Sequence, residues 1–182
     1  MRRSLEIVMW ILVILFMGFG LGDLLYFQPH RAEIRQLIQA TTDEERNPSA
    51  MMQELVQAST SGNLDSSVAR ILLDKLDVRP SADAKFQLGK MTTFLFWTLL
   101  VELHLSEQER ITLYMGYIYT GNLQRGFSAA SQSMFHKPLA ALSLEEAATI
   151  AVIPRSPSVY LAEPELLKKR RDDLLSKLKN GH

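Results

Sequence analysis

The chain contains no cysteine, which removes disulfides, thiolate nucleophiles and thiolate metal sites. That absence fits any compartment. Neither sign of charge is in excess: 20 Lys and Arg stand against 20 Asp and Glu, so no net field draws nucleic acid or a strongly acidic partner. Histidine is scarce, at 4. His104 and His136 stand alone, with no ligand type at i,i+4, and read as surface or boundary residues rather than a metal site. No period-2 alternation runs beyond a few residues, and no internal repeat appears. A length of 182 residues leaves room for one compact domain and an appendage.

What the chain does have is a charge-free opening. After Arg2 and Arg3, the stretch Ile7–Gly22 runs 16 residues without a charge, and "LLYF" resumes the pattern after Asp23. From Leu5 to Phe27 the span is just sufficient for the hydrocarbon core of a bilayer. Trp10 and Tyr26 sit near its ends, where aromatic rings favour the headgroup zone, and the two arginines before it keep the N-terminus cytoplasmic. A cleaved signal peptide is the competing reading; Gly20 and Gly22 are small enough for a cleavage site, but no A-x-A pattern follows. The sequence therefore predicts an uncleaved single-pass anchor over residues 1–28.

Beyond Pro29 the periodicity is helical. Ile34, Leu37 and Ile38 share one face of "RAEIRQLIQA", a polar loop is predicted over Thr41–Ser49, and Ala50–Ala58 is a short helix. Ser59–Asn63 breaks the chain before a helix over Leu64–Leu76, which Arg79-Pro80-Ser81 ends. The 11 uncharged residues Met91–Val101 are too few to span a bilayer and read as a core helix, with Phe94 and Trp97 on its inner face. Ser106 with Glu109, and Ser143 with Glu146, are capping boxes that open the next helices. Pro154 and Pro157 stop one helix, and Pro164 opens a last one with Leu167, Leu174 and Leu178 as its stripe. Residues 29–63 read as a helical linker region and residues 64–182 as the domain proper. Lys168–Arg171 is a basic run flanked by Asp172 and Asp173, the pattern of a solvated face.

One segment, "YMGYIYTGNLQRGFSAASQSMFHKP", carries no obvious chemistry yet groups Tyr114, Gly121, Gly126, Ala129, Ala130, Phe135 and Lys137. Leu142, Leu144, Glu146, Ala148, Pro157 and Tyr160 follow without a gap, then Pro164, Arg170 and Arg171. In this spacing Glu102–Leu178 resembles the family 51 peptidoglycan glycosyltransferases, the polymerase domains of class A penicillin-binding proteins. Their pattern is Y-L-N-x(4)-G-x-G-x-x-G-I-x-A-A-A-x-x-Y-F-G-K, then L-x-L-x-E-x-A-x-L-A-x(5)-P-x-x-Y. The resemblance implies an all-α, lysozyme-like domain that handles lipid II. It also implies that Glu102 and the residues just named support the fold, not the reaction.

The family's chemistry resides in earlier blocks: a base glutamate in E-D-x-x-F-x-x-H-x-G, a donor-phosphate block G-x-S-T-I-T-Q-Q-x-x-K-N, and a second glutamate in R-K-x-x-E-x-x-x-A-x-x-L-E. Laying the last glutamate of the third block on Glu102 places its Arg on Lys90, its Lys on Met91 and its catalytic Glu on Phe94, and a phenyl ring holds neither proton nor metal. The phosphate block falls on "LDSSVARILL", which keeps Ala69 and a cation at Arg70 but neither glutamine. For the first block only "TTDEERNPS" is near, with Glu44 or Glu45 as the candidate base.

Arg70 and Lys90 are thus the candidate phosphate contacts, with ordinary surface charge as the alternative. No metal or cofactor is expected; a divalent ion enters only if the chain is catalytic. The first expectation is a non-catalytic relative on the outer face of a bacterial cytoplasmic membrane, binding lipid II, nascent glycan or a cell-wall synthase. An active polymerase with an altered base is the second, and a membrane-anchored assembly subunit unconnected to glycan is the third.

Overall fold

The computed structural model describes residues 2–78 and 86–180. Contacts divide the chain into two units, residues 1–36 and 37–182. In the first, α1 (Arg2–Tyr26) carries the charge-free stretch as a helix of 25 residues, and a 3-10 turn over Gln28–His30 leads into α2 (Arg31–Ala40). Side chains of several of its apolar residues, among them Ile7, Val8, Ile11 and Leu12, lie outside the described residues. Among the described residues no helix is long and apolar enough to cross a membrane. The helix predicted over Leu64–Leu76 ends at Lys75, while Arg79-Pro80-Ser81, expected to stop it, lies outside the described residues.

The second unit is built on capped helices. Thr42 opens α3 (Asp43–Arg46), Ser49 caps α4 (Ala50–Thr60), and α5 (Leu64–Lys75) follows the left-handed pair Ser61 and Gly62. Next come α6 (Phe86–His104), α7 (Glu107–Tyr117), the strands β1 (Tyr119–Gly121) and β2 (Gln124–Arg125), and α8 (Phe127–Phe135). The chain closes with α9 (Leu144–Val152), a 3-10 turn over Ile153–Arg155, α10 (Pro157–Ala162) and α11 (Pro164–Asn180). Helix α5 packs on α6 and α7, and α9 packs on α4 and α11. The core holds Val68 and Leu72 of α5 and Trp97 of α6, as the pattern implied, together with Leu100 and Val101 of α6, Leu113 and Met115 of α7 and Ile150 of α9.

Two elements depart from expectation. The all-α reading is right for nearly the whole unit, but β1 and β2 pair antiparallel, with Tyr119 opposite Arg125. Asn122 and Leu123 make the turn with φ of 49° and 60°, the left-handed pair that a two-residue hairpin demands. The predicted loop Thr41–Ser49 contains a helix, because Thr42 and Glu45 form a third capping box: Thr42 Oγ1 accepts from the Glu45 amide and Glu45 Oε2 accepts from the Thr42 amide.

Tyr114 of α7 is buried edge-on against Phe127, with ring centroids 5.9 Å apart. Burial pushes its phenol up to about 12 from an ordinary 10.0. A raised phenol favours the folded state while neutral, so the stabilisation is complete below pH 10 and is lost as pH climbs toward about 12. Two units correspond to about 2–3 kcal/mol. Tyr114→Phe is accordingly expected to raise the midpoint of alkaline unfolding followed by circular dichroism; an unchanged midpoint would refute that role.

Candidate functional site

The two glutamates nearest the family's first block lie side by side on α3, and both are engaged by backbone amides. Glu45 is 3% exposed. Besides the Thr42 amide at 3.1 Å, its carboxylate accepts the Ser128 amide at 3.0 Å. Ser128 is the second residue of α8, so the negative charge sits at the positive end of that helix. Thr42 and Ser128 also join through their hydroxyls at 2.9 Å. Glu44 Oε2 accepts the Leu139 amide at 2.8 Å, where a 3-10 turn over Leu139–Ala141 begins. These carboxylates clamp α3 to the segment that identified the family.

The glycines of that segment make the clamp possible. Gly126 has φ of 92°, and a Cβ there would lie 2.8 Å from the Gly116 carbonyl oxygen and 3.2 Å from Glu45 Oε1. At Gly116 a Cβ would lie 2.4 Å from Thr41 Cγ2. Both close approaches exclude a side chain. Below the clamp, Tyr117 donates to the Leu37 carbonyl at 2.8 Å; its own phenol is raised by burial first and by the Glu45 charge second.

A second locus is an open cleft of about 600 Å³ between α5, the end of α7 and the hairpin. Arg70 and Asp74 line it from α5, Arg125 from β2, and Tyr117 and Tyr119 supply aromatic walls, with Ser66 and Ser67 close by. Arg125 pairs with Asp74 at 3.4 Å, both about half exposed. The Arg70 guanidinium lies 5.6 Å from the centroid of the Phe94 ring. Arg70 and Phe94, the positions that the sequence resemblance lays on the phosphate block and on the second glutamate, are thus in contact. Phe94 is half-buried and not among the residues that line the cleft, so the expected inner-face core position holds for Trp97 but only in part for Phe94. Lys90 is exposed on the second turn of α6 and does not line the cleft; Glu102 is exposed near the end of the same helix.

The remaining family positions sit where packing needs them. Gly121 (φ 95°) faces Leu161 so closely that a Cβ would lie 2.3 Å from its Cδ1. Ala130 is buried in α8, whereas Ala129 is exposed and Phe135 half-buried. Lys137 and Glu146 form an ion pair at 2.6 Å, and the Lys137 hydrogen bond is the main cause that lowers the Glu146 carboxyl. Pro157 opens α10 and Tyr160 is buried in it. Among the described residues no three metal-ligating side chains gather. Sequence reasoning missed Asp74, Tyr117, Tyr119 and Arg125. The one local signal was the charge of Arg125 between two obligatory glycines.

Comparison with known proteins follows the same division. The family model described as Transglycosylase matches residues 89–179, half of the 182-residue chain. Penicillin-binding protein 1A of Pseudomonas aeruginosa is 39% identical over 82 residues, 44% of this chain and 10% of that protein. The proteins of the same name from Neisseria lactamica and Neisseria gonorrhoeae are each 36% identical over 80 residues, 43% of this chain and 10% of theirs. The matched stretch is thus about a tenth of these relatives' length. Glu44, Glu45 and Arg70 all precede the stretch matched by the family model.

Proposed function

The chain belongs to the transglycosylase family, and from that premise we propose that it binds the lipid-linked disaccharide diphosphate of peptidoglycan synthesis, or its nascent glycan, without polymerising it. The observation that carries this is the pairing of Arg70 with Phe94. A cation suited to a diphosphate is retained, while the carboxylate expected beside it is replaced by a ring that neither moves a proton nor holds a metal. The cleft volume lies in the range of small-molecule sites. Two arginines supply charge-assisted donors for phosphate oxygens, and two tyrosines offer faces for a sugar. A general base must reach its substrate. Glu45 is buried with its oxygens committed, and Glu44 borders a separate cavity of about 170 Å³. Both facts weigh against the polymerase alternative. Saturable binding of lipid II by the full chain in nanodiscs tests the proposal; no binding at micromolar protein would overturn it.

Membrane attachment through α1 belongs to the same proposal. Its charge-free stretch supports it, as do exposed Met9, Trp10, Met17 and Leu21. Helix α6 adds an outward ridge: Met91, Leu95, Leu99 and Leu103, spaced four apart, are 50–62% exposed. Such a ridge is uncommon on a surface that meets only water. With no native cysteine, single-cysteine labelling at Leu99 is clean. In proteoliposomes a lipid-phase quencher is expected to reach that label and an aqueous quencher to be excluded; the reverse would detach α6 from the bilayer.

A further inference from the structure

A second concavity, independent of the cleft, has chemistry of its own. About 340 Å³ in volume, it lies between the end of α4, the turn after α9, α10 and α11. Arg155 enters from the 3-10 turn, and α11 presents Arg170, Asp173 and Lys177, an i,i+3,i+7 face. Arg170 and Asp173 are 3.6 Å apart and about half exposed, a weak pair. Among the described residues no carboxylate pairs with Arg155 or Lys177. Three cations therefore converge on one concave site against a single carboxylate.

The ordinary explanation for such cations is that they neutralise carbonyls at helix C-termini. Here three of the last four carbonyls of α4 are met from within its own segment. Gln57 O accepts the Ser61 amide at 3.1 Å, Thr60 O the Asn63 amide at 3.0 Å, and Ala58 O the Ser61 hydroxyl. Two more hydroxyls back-bond one turn earlier. Thr60 and Ser59 donate to Val56 O at 2.9 and 3.0 Å, and Ser61 donates to Ala58 O at 3.2 Å. Arg155 and Lys177 are left without that task. The same bonds use the hydroxyl hydrogens of Ser59 and Ser61, so the side-chain donors left to meet a ligand are the three cations and the hydroxyls of Ser176 and Tyr160. The floor is apolar, made of buried Val152, Tyr160 and Leu174.

We propose that this cavity binds a phosphate group carried on a small organic body. Two guanidiniums and an ammonium suit a tetrahedral anion with several acceptor oxygens. The apolar floor, and a volume several times that of a phosphate, accommodate the body attached to it. Asp173 competes with the ligand for Arg170. The phosphate could come from a soluble phosphomonoester or from a phospholipid headgroup, and the test separates the two.

Calorimetric titration of the full chain with glycerol 3-phosphate, glycerophosphoglycerol, inorganic phosphate and glycerol reads the site directly. Saturable, salt-sensitive binding of a glycerol phosphate is expected, weaker binding of inorganic phosphate, and none of glycerol. Tighter binding of the diester assigns the site to a lipid headgroup, and tighter binding of the monoester to a soluble ligand; either supports it. Arg155→Ala with Lys177→Ala is expected to weaken binding at least about tenfold. Asp173→Asn is expected to tighten it several-fold, while Lys168→Ala, on a residue outside the cavity, leaves it unchanged. The substituted arginine and lysine are exposed, and an unchanged thermal midpoint checks that the variants fold. No saturation at millimolar ligand, or binding indifferent to the double variant, overturns the proposal.

Discussion

Replacing Glu45 by alanine is expected to lower the stability of the 37–182 unit by about 3 kcal/mol, a fall in thermal midpoint on the order of 10 °C for a domain of this size. The carboxylate is buried and takes one amide from its own helix and one from α8, 83 residues away. Alanine strands both donors, and an unmet amide bond to a charged acceptor costs about 1.5–3 kcal/mol. Glutamine keeps one carbonyl oxygen and serves one amide, so Glu45→Gln falls between alanine and the parent chain. Gly126→Ala attacks the same contact from the other side, placing a methyl 2.8 Å from a carbonyl oxygen at φ 92°, and its loss should be comparable. Chemical denaturation of the three variants checks the ordering. If Glu45→Ala unfolds like the parent chain, the clamp is not structural and the residue is free for chemistry.

Arg70→Ala is expected to weaken lipid II binding about tenfold, and Arg70→Ala with Arg125→Ala about a hundredfold, since each removes a charge-assisted contact. The two cations come from separate elements and each has a weak present partner, the Phe94 ring and Asp74 respectively. An anion can therefore displace both. The salt dependence should shrink in step with affinity, because screening acts on the same charges. Lys90, outside the cleft, serves as the contrast: Lys90→Ala should leave affinity unchanged. Equal losses for all three lysine and arginine variants would mean a diffuse electrostatic attraction and no defined cleft.

Helix boundaries were legible wherever a side chain caps an amide. Ser106 with Glu109 and Ser143 with Glu146 name their helices in four residues. Thr42 with Glu45 is the same signal, hidden by the neighbouring acids and Pro48, which mimic a polar loop. The hairpin was not legible, because strands of 3 and 2 residues are too short for a period to register. Gly121 and Gly126 both take positive φ, but the close neighbours that leave Gly126 no room for a side chain, the Gly116 carbonyl first and the Glu45 carboxylate second, are brought there only by the fold. The cleft fared likewise. Arg70 was found through its block, whereas Asp74 and Arg125 meet only after α5 and the hairpin have folded together.

The central claim is that this transglycosylase-family chain has kept a cation for the diphosphate and given up the carboxylate chemistry. Incubating the purified full chain with labelled lipid II and a divalent ion, then resolving glycan polymer on a gel, tests it most directly. The account predicts monomer only, under conditions where binding is saturated. Polymer that forms with the parent chain and disappears with Glu44→Gln, or with a folded Glu45→Gln, would contradict it.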